Sequence, residues 1–132
     1  MPGTAKRDRA GVVVRHEGTL RFLPASVVVR IAPRPPISRV PGAPKSLLGI
    51  AYTGGEIVPV VSISEKNDGP LVVCRYLGEP VGIVGCEVVR TGTFDADPSA
   101  EGAVIAEGGP VRSLDLAATF ASLQSARWTI EG

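Results

Sequence analysis

Residues 40–63 read VPGAPKSLLGIAYTGGEIVPVVSI. A Pro-Gly-x-Pro turn comes first, then a short apolar link, a Gly-Gly turn and a strand, EIVPVVSI. Gly54-Gly55 leads into a strand, not a helix. A phosphate-binding loop needs a helix N-terminus and usually a lysine, so this is not one. The stretch holds no nucleophile and no metal-binding cluster. What it specifies is an order of turns and strands, which points toward a β scaffold.

The same reading extends outward. Residues 12–15 (VVVR), Glu17-Gly18 and residues 20–23 (LRFL) make a hairpin, since glycine tolerates positive φ in a two-residue turn. Residues 26–31 (SVVVRI) are β-branched and read as a buried strand. Pro33, Pro35 and Pro36 end it, because proline cannot donate to a ladder. Residues 32–44 form a proline-rich connector between lobes, and residues 45–48 one helical turn. Pro59 marks strand 57–63 as an edge or a bulge. Residues 64–70 turn the chain. Residues 71–77 and 81–89 form a hairpin around Gly78-Glu79, and residues 91–102 a loop. Residues 103–106 and 111–114 are strands about a Gly108-Gly109 turn. Residues 115–125 (DLAATFASLQS) form a helix, with Asp115 as N-cap and a stripe of Leu116, Phe120 and Leu123 facing the core. Residues 54–63 weakly echo residues 108–116, which points to two similar lobes.

With 132 residues the chain makes one domain, with residues 1–10 as a loose tail and 11–132 folded. Sixteen glycines and twelve prolines favour many short strands. A net charge of +1 gives no footprint for nucleic acid. No apolar run reaches the roughly 18 residues of a membrane span, and no signal sequence is evident, so a cytoplasmic protein is expected. A tight turn over residues 77–80 sets Cys74 opposite Ile83 and Cys86 opposite Leu71. The thiols are then about 10 Å apart along the strands, too far to bridge, and are expected reduced and buried.

Catalytic groups are missing. His16 is the only histidine, sits beside a turn and lacks a partner in sequence. Ser62, Ser64 and Ser113 lie at strand ends without a nucleophile elbow. Asp95, Asp97 and Glu101 are too few for a calcium site. Neither a metal nor a cofactor is expected. Trp128 is expected to pack against a lobe.

The ordered set from Gly18 onward resembles the CheW-like domain. GTLRFLPA (18–25), VVRI (28–31), ISRVPGAP (37–44), LGI (48–50), IVPVV (57–61), VGIV (81–84) and the closing 111–123 stand in the family's order. The resemblance implies an all-β fold of two intertwined, SH3-like, five-stranded barrels with a short C-terminal helix. It also implies a non-enzymatic adaptor in bacterial chemosensory signalling. The implied partners are a chemoreceptor tip, the regulatory domain of a CheA-type histidine kinase, and other CheW-like domains. The family uses a groove between lobes for the receptor and apolar barrel ends for the kinase.

Four positions depart from the family's charges. Arg30 replaces a glutamate, Gly54 an arginine, Ser62 an aspartate and Cys86 an aspartate. Val28, Arg30, Thr53 and Gly54 match receptor-facing positions and are the candidate groove residues. The lost charges raise an alternative: a CheW-like fold redeployed as a scaffold or regulator that does not fit a standard receptor tip.

Overall fold

The computed structural model describes residues 8–43, 47–64 and 68–121. The elements run β1 (Asp8–His16), β2 (Thr19–Pro24), β3 (Val28–Ala32), β4 (Leu47–Thr53), β5 (Glu56–Ser62), β6 (Leu71–Tyr76), β7 (Glu79–Val84), β8 (Glu87–Ala96), β9 (Val104–Ala106), β10 (Gly109–Val111) and α1 (Leu116–Thr119). They build two five-stranded sheets, β10-β9-β8-β1-β2 and β3-β6-β7-β5-β4. The middle of the chain makes the second sheet. The two ends make the first.

The first sheet closes on itself. Phe22 N–H donates to the Arg112 carbonyl at 2.8 Å, and Leu114 N–H donates to the Phe22 carbonyl at 2.9 Å. Residues after β10 thereby pair with β2, which removes both sheet edges. Phe22 also fills the barrel. It packs with Val13, Phe94, Val104, Ala106 and Val111, and its ring meets Phe94 edge-on at 5.8 Å.

A separate core, centred on Ala51, Val58, Val60, Leu71, Val73 and Val84, fills the second sheet. Between the two lies a third cluster fed by both sheets. It takes Val12, Val14 and Leu23 from one, and Val61, Val72 and Ile83 from the other. Phe120, at the C-cap of α1, plugs this cluster and stacks on Tyr76 at 5.3 Å. Asp115 caps α1 as expected, its carboxylate accepting from Ala118 N–H at 3.0 Å. Leu123 and Trp128 lie outside the described residues, so the expected helical stripe is seen only at Leu116 and Phe120.

Several expectations are corrected, each for a local reason. β1 begins at Asp8, because Asp8–Ala10 pair with Asp95–Thr93 of β8 and so join the sheet. Strand 26–31 is not buried. It is β3, at an edge of the second sheet, and Val29 and Ile31 stay more than a third exposed. Leu47 and Leu48 start β4 and make no helical turn; residues 44–46 lie outside the described residues. β5 is internal despite Pro59. Ile50, opposite Pro59, spends its N–H and carbonyl on Ser38, so the missing proline donor costs β4 nothing. β7 joins β5 only from Val60 onward.

The β6–β7 turn is Leu77-Gly78 and not Gly78-Glu79, which sets Cys74 against Val81. The expected strand 81–89 is two strands. Gly85, at φ 94°, breaks it and sends β8 into the other sheet. β8 continues to Ala96 where a loop was expected, because β1 supplies a partner along its length. The last hairpin turns at Glu107-Gly108, one residue earlier than read.

Both cysteines are free and buried in the shared cluster. Burial pushes the Cys74 thiol up to about 12, with the nearby Cys86 adding to it, and the Cys86 thiol up to about 11. The folded pKa values lie above the ordinary value of 9.0, so the unfolded chain releases these protons first. Stability is then full below about pH 9 and falls as pH rises toward 11 to 12. Native protein should react with iodoacetamide at pH 8 far more slowly than urea-unfolded protein, and rapid labelling of either native thiol would contradict the buried placement. Phe22→Ala should cost about 3–5 kcal/mol in urea unfolding. A loss below about 1 kcal/mol would show that barrel closure does not rest on this ring.

Candidate functional site

β3 and β4 are the two edges of the second sheet. Arg30, on β3, crosses from one toward the other. Its Nη2 donates to the Thr53 carbonyl at the end of β4, at 2.7 Å, and stands 3.8 Å from the Glu56 carboxylate at the start of β5. A single side chain thus ties together three strands at the mouth of the second barrel.

Register explains why it points there. Arg30 pairs with Val73, and Thr53 pairs with Glu56 two residues beyond the Ala51–Val58 pair. Cross-strand partners share a face. All of these lie on the face that carries the second core. Val28, however, is on the other face. A bulge between Val28 and Arg30 shifts the register, so Val28 pairs with Cys74 and packs on the shared cluster. The simple period of two would have put Val28 and Arg30 side by side. Three of the four groove candidates, Arg30, Thr53 and Gly54, are brought together, and Val28 is set apart.

Two neighbours were missed at the sequence level. Tyr52 and Ile57 form a cross-strand pair on the outer face beside the Gly54-Gly55 turn, and they are 72% and 63% exposed. Their signal was available. Once Ala51 and Val58 face the core, alternation turns Tyr52 and Ile57 to solvent. Glu56 was also missed, because its role depends on Arg30 arriving from β3.

A separate cleft lies elsewhere on the molecule. It is lined by the Arg15–Gly18 turn, Ser64, residues 68–70 and Gly85–Val88. Arg15 and Glu87 pair at its rim at 2.9 Å. None of the four groove candidates lines it. In the 91–102 region, Asp97 accepts from the Ser99 N–H at 2.9 Å and from its hydroxyl at 2.7 Å. These bonds hold its carboxyl below the ordinary range and account for it as a turn former. Among the described residues no group of three or more His, Cys, Asp or Glu is placed to hold a metal.

The fold and its comparisons agree. The family model for the CheW-like domain matches residues 10–124. This chain belongs to the CheW-like domain family. The scaffolding protein TtCheW from Thermoanaerobacter tengcongensis shares its fold, with a TM-score of 0.70, 18% identity, and coverage of 86% of this chain and 93% of that one. No curated protein sequence matches the chain. The CheW-like family is one of non-catalytic adaptors, and its architecture of two SH3-like lobes is the one seen here.

Two of this CheW-like domain's four departures have internal explanations. Cys86 is 4% exposed within the shared cluster, where a carboxylate would be buried at high cost. The Ser62 hydroxyl donates to the Ser64 carbonyl at 2.6 Å and holds the exit from β5. Those two positions say little about partner choice. Arg30 does not earn its place through stability. Its Nε is buried without a hydrogen-bond partner among the described residues, and its ion pair is partly exposed. A partly exposed ion pair contributes about 0–1 kcal/mol, and the unpaired buried Nε costs roughly what the hydrogen bond to Thr53 contributes, about 1–3 kcal/mol each. Arg30→Met should therefore change unfolding free energy by less than about 1 kcal/mol. A loss of several kcal/mol in urea titration would make Arg30 a structural clasp instead.

Proposed function

We propose that this domain is a cytoplasmic, non-enzymatic adaptor that couples a chemoreceptor tip to the regulatory domain of a CheA-type histidine kinase. The observation that carries the reading is the family match over residues 10–124 together with the two five-stranded sheets that share one core. A coupling protein needs two separate faces held rigidly. The shared cluster between the barrels supplies that rigidity. Arg30, Thr53 and Gly54 form the receptor-facing surface in this reading, with Val28 supporting β3 from behind. The exposed Tyr52–Ile57 pair forms the kinase-facing patch. Tyrosine and isoleucine left this open are more useful at an interface than in water. Other CheW-like domains are further partners for the barrel ends. Among the described residues no helix is long and apolar enough to cross a membrane.

The second reading, a CheW-like scaffold working outside receptor arrays, rests on the altered charges. With Ser62 and Cys86 explained internally, it now rests on Arg30 and Gly54 alone.

Titration calorimetry against the kinase regulatory domain and a receptor-tip fragment of the same organism separates the two readings. Coupling predicts micromolar or tighter binding to both, about −8 kcal/mol or stronger. Tyr52→Ser should weaken kinase-domain binding about tenfold or more while shifting folding stability by less than about 0.5 kcal/mol. A well-folded protein that binds neither fragment would leave the redeployed scaffold as the answer.

A further inference from the structure

Among the described residues, four two-residue turns join antiparallel strands: Glu17-Gly18, Gly54-Gly55, Leu77-Gly78 and Glu107-Gly108. In each, both residues have positive φ. In three, the first residue is not glycine and sits at φ 50°, 53° and 51°. This fold therefore accepts an ordinary side chain at that position. Gly54, at φ 61°, is the exception, and the turn geometry does not require it.

The neighbourhood does. A Cβ at Gly55 would meet nothing within 4 Å. A Cβ at Gly54 would overlap the guanidinium carbon and both terminal nitrogens of Arg30. The guanidinium lies flat against the turn where position 54 would otherwise project its own side chain. Arg30 and Gly54 are thus two halves of one choice. Arg30 could swing away from a larger residue, since its tip is flexible, but it would lose the Thr53 carbonyl and the Glu56 carboxylate.

We infer that Arg30, seated over Gly54 and steadied by Glu56, is the specificity-determining cation of the receptor-facing surface, selecting a receptor tip that offers a carboxylate. The inference rests on the adaptor reading for the identity of the probes. Positions 30 and 54 look in sequence like two lost charges. In the fold a guanidinium is present at the β4–β5 turn, delivered from β3, and a carboxylate stands beside it on β5. The pair is exchanged between strands, not deleted. Among the described residues the guanidinium makes one hydrogen bond, to Thr53, and its contact with Glu56 is long. Donors therefore remain for an acceptor on the partner.

The test has one arm that needs no partner. Exchange of the Arg30 guanidinium protons with water is followed by NMR in the native protein and in Gly54→Ala. Native Arg30 should exchange about tenfold or more slowly than an exposed arginine such as Arg34, and Gly54→Ala should abolish that protection. Equal exchange in both proteins would overturn the coupling of positions 30 and 54. In the second arm, calorimetry with the receptor-tip fragment and the kinase regulatory domain compares native protein, Arg30→Gln and Arg30→Lys. Arg30→Gln should weaken binding to the receptor-tip fragment about tenfold while leaving kinase-domain binding within about twofold, with Arg30→Lys recovering part of the loss and Gly54→Ala behaving like Arg30→Gln. Native binding with no change in Arg30→Gln would overturn the specificity role and leave the adaptor reading intact. Native protein that binds neither fragment would overturn the adaptor reading and the specificity role together, while the exchange arm still decides the coupling.

Discussion

Strand β1 is buried on both faces, and the rest of the molecule follows from that. Val13 points into the first barrel, and Val12 and Val14 point into the cluster between the barrels. A strand of alternating polarity could serve only one core. Three consecutive valines serve two, with β-branched side chains suited to a pleated surface packed on each side. Each barrel is too small to bury much surface alone. A shared layer lets both use the same strands, so the lobes are stabilised together.

Gly85 is the second requirement. It lets the chain leave β7 of one barrel and enter β8 of the other within two residues, and β8 then lies along β1. The second barrel is in effect inserted between β2 and β8 of the first. The closing contact of β2 with the residues after β10 seals the first barrel by backbone bonds. The second barrel is treated differently at its mouth, where a long arginine side chain reaches across between the edge strands. Side-chain contacts of that kind change more easily than backbone ladders.

Much of this was legible in the residues. The hairpin at Glu17-Gly18, strand 57–63, the Asp115 cap, the buried thiols and the two-lobed architecture all follow from local chemistry and from ordered motifs. Errors clustered where two solutions were locally equal. Leu77-Gly78 and Gly78-Glu79 both contain the glycine, and only the pairing of Cys74 with Val81 separates them. Residues 91–96 carry turn-like glycine and aspartate, yet β1 holds them extended. The bulge at β3 left no mark in the sequence, and it alone decides that Val28 faces the core while Arg30 faces the mouth.

The sequence by itself determined the class of the fold and the absence of a catalytic constellation. Valine runs, glycine turns and prolines act over a few residues, so their effects can be read from a few residues. Whether Arg30 and Gly54 represent lost charges or an exchanged pair was decided only by the tertiary structure. The two residues are 24 positions apart, and no local rule connects them. They meet because β3 and β4 are opposite edges of one curled sheet, which brings a guanidinium from one edge onto a glycine turn at the other.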